Sequence, residues 1–158
     1  MLFRSGHVVG DNASASIFIP AVLFAAAVFL SFSTGTSWGT FAILVPIATA
    51  MFSGGADMQM MVISVSAVLA GAVCGDHVSP ISDTTVMSSA GAQSNHINHV
   101  STQMQYAAIV TVISFAGYIF AGFVHVWWIV LGASLIVLLA VLTGMKTYLG
   151  RKQERADG

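Results

Sequence analysis

Three observations predict an all-α fold, a polytopic transmembrane helical protein with interrupted or re-entrant helices. Hydrophobic residues make up 56% of the 158-residue chain and charged residues only 7%, where soluble domains carry about 25% charged residues. Mean hydropathy is +0.86. The apolar residues form long runs, and two of these runs are broken by Gly, Ser and Thr clusters instead of charged loops. A formal net charge of −1 leaves no basic face for nucleic acid, so the surface that matters is the one toward the lipid bilayer.

Met1 to Asn12 carries Arg4, His7 and Asp11 but no apolar core ahead of a small-residue cleavage site, so no cleavable signal peptide is expected. The first apolar segment runs from Ile17 to Ser31, with Pro20 near its start, where a missing N–H costs little. It leads into Ser31-Phe32-Ser33-Thr34-Gly35-Thr36-Ser37-Trp38-Gly39-Thr40, after which Phe41 to Phe52 is apolar again with Pro46 inside. A continuous helix from Ile17 to Phe52 would measure roughly 54 Å, well beyond a hydrocarbon core of about 30 Å. The chain must break at Gly35 to Gly39, because glycines weaken helix and hydroxyls satisfy the backbone groups that unwinding frees. Either one crossing is interrupted there, or a helix is followed by a re-entrant half.

Ser53-Gly54-Gly55-Ala56-Asp57 reads as a turn at a membrane face with Asp57 solvated. Met58 to Val73 is apolar and rich in small residues, which suits close helix packing in lipid. A polar island follows: Gly75-Asp76-His77-Val78-Ser79-Pro80-Ile81-Ser82-Asp83-Thr84-Thr85. Gly75 and Pro80 argue against a continuous helix through it, and Val86 to Ala92 begins a second half-helix. Gln93 to Gln103 is a polar connector containing His96 and His99, and Met104–Val124 and Val126–Met145 are two further spans around a turn at His125. Trp127 and Trp128 fit an interfacial belt.

Four of the five basic residues, Lys146, Arg151, Lys152 and Arg155, follow the last apolar run, which places the C-terminus in the cytoplasm by the positive-inside rule. Residues 1–145 are thus expected to form a transmembrane domain and 146–158 a cytoplasmic basic tail. Four or five apolar segments are few for a transporter. The chain is therefore expected to be a C-terminal portion or one structural half of a larger fold, completed by an N-terminal half or by a second copy.

Carboxylates at bilayer depth mark ion paths, proton relays or substrate sites, and paired interrupted helices mark transporter sites. Asp76 and Asp83 are accordingly the leading candidates. Ser79, Ser82, Thr84 and Thr85 add oxygens from the same stretch, and Thr34, Thr36 and Ser37 from the first break, the ligand type that a hard cation such as Na⁺ takes. Each hydroxyl has an alternative use in satisfying backbone at a kink. Burial disfavours a carboxylate's charge and a bound cation favours it, so a proton and Na⁺ can compete for one site.

His77 is a candidate proton relay, or equally a cap on the broken helix. His96 and His99 have the i, i+3 spacing of a metal pair, but no Cys, Asp or Glu nearby completes a zinc set, so loop structure or pH sensing is expected and no metal or cofactor. Cys74, the single cysteine, reads as a packed thiol, and Trp38 as a packing anchor or a gate. Two membrane aspartates also raise an intramembrane aspartyl protease, in which a carboxylate pair activates water. Val73-Cys74-Gly75-Asp76 lacks the first glycine of the expected Gly-x-Gly-Asp, and both aspartates arise from one break instead of facing helices. No enzyme is expected.

Through Thr34-Gly35-Thr36-Ser37-Trp38-Gly39-Thr40, and through Gly75 to Thr85 running on to Asn95-His96-Ile97-Asn98-His99-Val100, the chain resembles the NhaC-type sodium/proton antiporter family. The resemblance extends from Ile17 to about Thr143 and is to the C-terminal portion of the family. It implies a secondary transporter of the bacterial inner membrane that exchanges external protons for internal Na⁺ without nucleotide hydrolysis. Close relatives exchange carboxylates or export amino acids, so a Na⁺- or H⁺-coupled carboxylate or amino-acid antiporter is the alternative. Gln93-Ser94 stands where the family pattern has Gly-Cys, and Asn98 where it has Asp, which removes a carboxylate from the connector and leaves Asp76 and Asp83 in place.

Overall fold

A computed structural model describes residues 16–52, 58–124 and 126–154, and every regular element among them is a helix. The order is α1 (Ile19–Thr34), α2 (Ser37–Met51), α3 (Met58–Val78), α4 (Asp83–Gly91), α5 (His96–Phe123) and α6 (Trp127–Glu154). α3, α5 and α6 are long and apolar enough to cross a membrane, while α1 and α2 are shorter apolar helices.

The first break takes the re-entrant form. At 1.5 Å per residue, α1 and α2 with 16 and 15 residues are about 24 and 22 Å long, too short to cross alone. Gly35, at φ 69°, ends α1 in the left-handed conformation, its N–H donating to Ser31 O at 2.8 Å. Thr36 is extended and its hydroxyl caps the Gly39 N–H at 3.5 Å, which starts α2. The break is thus two residues, and Gly39 lies inside α2. Leu23 of α1, Ala48 of α2 and Val68 of α3 share one buried cluster, so α2 folds back along α1 as a hairpin instead of continuing the crossing.

α3 packs along this hairpin and runs parallel to α1. A Cβ on Gly71 would lie 2.5 Å from Phe24 O, and one on Gly75 would overlap the Val28 carbonyl. Ser79 then reaches Phe32 O at 2.8 Å, and Gly35 meets Ile81. Small residues four apart on α3 let the two backbones touch, which is how helices associate where lipid gives no hydrophobic drive. Ser31, fully buried, donates to Ala72 O at 2.6 Å across the same seam.

α5 returns antiparallel to both. Cys74 Sγ is 2.9 Å from Thr111 Oγ1, Ser66 Oγ is 3.1 Å from Tyr118 Oη, and the Tyr118 ring stacks on buried Phe24 with centroids 5.2 Å apart. Cys74 is the half-buried packed thiol that the sequence leads one to expect. α6 runs back along α5, Gly117 facing Ser134. The C-terminal end of α3, the start of α5 and Lys146 on α6 therefore lie at one end of the bundle.

Several boundaries differ from the sequence reading. α3 continues through Gly75, Asp76 and His77 to Val78, because Gly75 faces the α1 backbone, where a side chain has no room, and a glycine there serves packing. α5 begins at His96 and not Met104: Asn95 caps it by accepting from Asn98 N at 3.2 Å, and the polar residues to Gln103 form its first turns instead of a connector. α6 carries on past Met145 through residues 146–154, so the start of the basic tail is helical. The turns at Ser53–Asp57 and His125, the N-terminal stretch Met1–Asn12 and Arg155 lie outside the described residues.

Candidate functional site

The gap between α3 and α4 is Ser79-Pro80-Ile81-Ser82, four residues, and the two aspartates flank it from helix. Asp76 sits in the last turn of α3 and is 6% exposed, while Asp83 opens α4 and is exposed on this chain. The expectation that both arise from unwound backbone is thus corrected: only residues 79–82 around Pro80 leave the helix, and both aspartates lie in the helices that flank them.

One hydroxyl turns to the buried carboxylate. Ser82, fully buried, donates to Asp76 Oδ1 at 2.7 Å, and Thr84 Oγ1 lies 2.8 Å from Ser82 Oγ. With the Ser82 proton committed to Asp76, Thr84 donates to Ser82, so a directed file of hydroxyls links exposed Thr84 to Asp76. Asp83 Oδ1 instead accepts the Thr84 N–H at 2.8 Å. His77 is exposed in the last turn of α3, where a basic group suits the helix dipole; Asp76 is served by Ser82 and not by His77.

Four of the remaining candidate hydroxyls bond to backbone groups near helix ends. Ser79 donates to Phe32 O, Thr85 to His77 O at 3.4 Å and Thr34 to Leu30 O at 2.9 Å, while Thr36 caps α2. Phe32 and His77 have carbonyls near the ends of their helices, so a hydroxyl replaces the missing N–H. Ser37 is half-buried at the start of α2. Trp38 is 80% exposed and stacks edge-on against Phe41 of its own helix at 5.8 Å, so it is no packing anchor within this chain.

The two breaks meet. A Cβ on Gly35 would stand 2.9 Å from both Cγ1 and the carbonyl oxygen of Ile81, so the hairpin tip touches the gap beside Asp76. Two helix C-termini, those of α1 and α3, end together there, with the N-termini of α2 and α4 beside them. The first present carbonyl oxygens and partial negative charge, which attract cations, and the second present N–H groups and partial positive charge. No Lys or Arg occurs between Arg4 and Lys146. Among the described residues no three His, Cys, Asp or Glu side chains gather as a metal set.

Residues 7–123 match the Na+/H+ antiporter family. The chain belongs to that family. Among its relatives is an uncharacterized protein of Haemophilus influenzae, 47% identical over 146 residues that make up 90% of this chain and 28% of the relative. A Bacillus subtilis protein named malate-2H(+)/Na(+)-lactate antiporter is 29% identical over 150 residues, 80% of this chain and 31% of that protein. A second Haemophilus influenzae protein, named as an uncharacterized Na(+)/H(+) antiporter, is 40% identical over 86 residues, 52% of this chain and 18% of its own. The chain spans less than a third of the length of these curated relatives. No solved structure matches it. This Na+/H+ antiporter family chain is an all-α membrane protein, and both of its breaks fall inside the family match.

Sequence reasoning did not single out Ser31, the Phe32 and Pro80 carbonyls, Ile81 or the contacts of His96. The i, i+4 run Gly71, Gly75, Ser79 is the signal that would have placed α1 against α3.

Proposed function

We propose that the chain supplies the ion site of a secondary transporter exchanging Na⁺ for H⁺, with Asp76 binding the two by turns. The observation that carries this reading is a buried carboxylate where two helix C-termini meet, in a stretch of sequence without Lys or Arg. Its charge needs either a proton or an outside cation. Loading Na⁺ on Asp76 displaces a proton, and the hydroxyl file through Ser82 and Thr84 leads that proton to the surface. The carbonyls of the gap and the Ser82 hydroxyl are the further oxygens for the cation, with Asp83 at the mouth and His77 beside it as a proton acceptor. The relatives' greater length and the exposed faces of α5 and α6 support a transporting unit with further helices, from another segment or a second copy. Lys146 and the basic residues after it favour a cytoplasmic C-terminus in a bacterial inner membrane, with residues 146–158 as tail.

The test is dequenching of a pH-sensitive dye in inverted vesicles when Na⁺ is added. Wild type responds and Asp76→Asn does not; silence in wild type, or an unchanged response in Asp76→Asn, overturns the reading.

A second reading is supported by the Bacillus subtilis relative's name and by the helix N-termini at the same junction, whose N–H groups suit an organic carboxylate. In it a carboxylate is exchanged together with the ions. Dequenching that requires malate or lactate, and not Na⁺ alone, selects it.

A further inference from the structure

We propose that His96 is a positioning residue for exchange, holding the gap between α3 and α4 in register with Asp76; this rests on the exchange reading above. His96 opens α5 and is half-buried. Its Nε2 is 2.8 Å from Pro80 O and its Nδ1 3.0 Å from Ser89 Oγ. A carbonyl only accepts, so Nε2 carries a proton and donates to it. Ser89 also lies 2.9 Å from Val86 O. In a neutral ring Ser89 turns its proton to Nδ1; in a charged ring Nδ1–H donates to Ser89, which keeps its bond to Val86 O. The bridge survives either state, so its role is geometric.

That geometry bears on the site. α3 stops at Val78 and Pro80 lies in the gap, so His96 supplies a donor for a carbonyl outside any helix. Two residues later stands Ser82, with its hydroxyl on Asp76. The gap is held at three points: Ser79 to α1, Pro80 to α5 and Ser82 to α3. His99, one turn further along α5, reaches Ser88 at 3.3 Å, so the first turns of α5 grip α4 as well as the gap. Without His96 the Pro80 carbonyl loses its donor and the gap loses its only tie to α5 among the described hydrogen bonds, loosening Ser82 from Asp76.

Two substitutions separate positioning from bulk packing. His96→Gln puts an amide N–H near the Nε2 position and keeps the Pro80 bond, whereas His96→Asn reaches only to the Nδ1 position. In the dye assay, His96→Asn and His96→Ala are expected to raise the apparent KM for Na⁺ about tenfold, and His96→Gln less than about twofold, with the maximal rate per molecule kept. Amide hydrogen exchange over residues 79–86 should accelerate in the Asn and Ala variants and not in Gln. The proposal is overturned if Gln is as impaired as Ala, if Ala leaves KM and amide exchange at wild-type values, or if only yield and maximal rate fall. Should wild type exchange no Na⁺ for H⁺, the transport reading fails by itself and amide exchange decides: the Gln-against-Asn contrast supports the role, and its absence removes it.

Discussion

The Ser82 hydroxyl donates to Oδ1 of Asp76 across 2.7 Å, and both residues are buried at the point where the tip of one helical hairpin touches the gap in another segment. A hydroxyl can accept from Thr84 and donate to the carboxylate at once, which no apolar residue of similar size can do. Ser82→Ala should therefore raise the apparent KM for Na⁺ about tenfold or more, while Ser82→Thr stays near wild type. Na⁺ titrations of the initial dequenching rate, normalised to protein in the vesicles, check this.

The exchange proposed above has a pH signature. If H⁺ and Na⁺ compete for one site, the apparent KM for Na⁺ should rise as pH falls, with the maximal rate little changed. Na⁺ titrations at three pH values measure it. A KM that stays flat while the rate collapses would mean that Na⁺ and H⁺ use separate sites.

The seam between α1 and α3 has no room at Gly75. A methyl group there overlaps the Val28 carbonyl, and overpacking of this kind typically costs about 1–3 kcal/mol. Gly75→Ala should lower the thermal midpoint in detergent, and Gly75→Leu should fail to fold. Gly91, with open space at its Cβ position, is the control, and Gly91→Ala should leave the midpoint within experimental scatter.

Ser64 is fully buried on α3, and its hydroxyl has no hydrogen-bond partner among the described residues. An unsatisfied buried polar group costs about 1–3 kcal/mol. Ser64→Ala is expected to raise the thermal midpoint and leave Na⁺-driven dequenching unchanged. Ser31→Ala, which removes the bond to Ala72 O, should destabilise by about 0.6 kcal/mol, a typical interhelical value in lipid.

The helix order also fixes sidedness. Ile81 is exposed at the gap, at the end of the bundle that carries Lys146, whereas Met58 starts α3 at the other end. In a Cys74→Ser background, an impermeant maleimide should label Ile81→Cys and Lys146→Cys from one side of the membrane and Met58→Cys from the opposite side.

Much of this was legible in the sequence, and what was not has identifiable causes. Apolar run length gives α5 and α6, and the Gly-Thr and Ser-Pro clusters give both breaks. Whether Gly35 interrupts a crossing or turns the chain back is decided by Leu23 meeting Ala48, a contact that no local pattern encodes. Gly75 reads as a helix breaker by propensity, yet it stays helical because the α1 backbone occupies the space of its missing side chain. Polar content made His96 to Gln103 look like a connector, while the Asn95 cap is what starts the helix there. At the site the residue types were readable, but not their partners. Ser79 and Ser82 look alike in sequence, and only the fold sends one to a backbone carbonyl and the other to Asp76.

The contact between Gly35 and Ile81 couples two bends that are 46 positions apart in sequence. Movement of either bend alone would break this contact, since a Cβ on Gly35 already meets the Ile81 main chain. On the exchange reading proposed above, a rearrangement that exposes Asp76 to the opposite side of the bilayer would carry both elbows together.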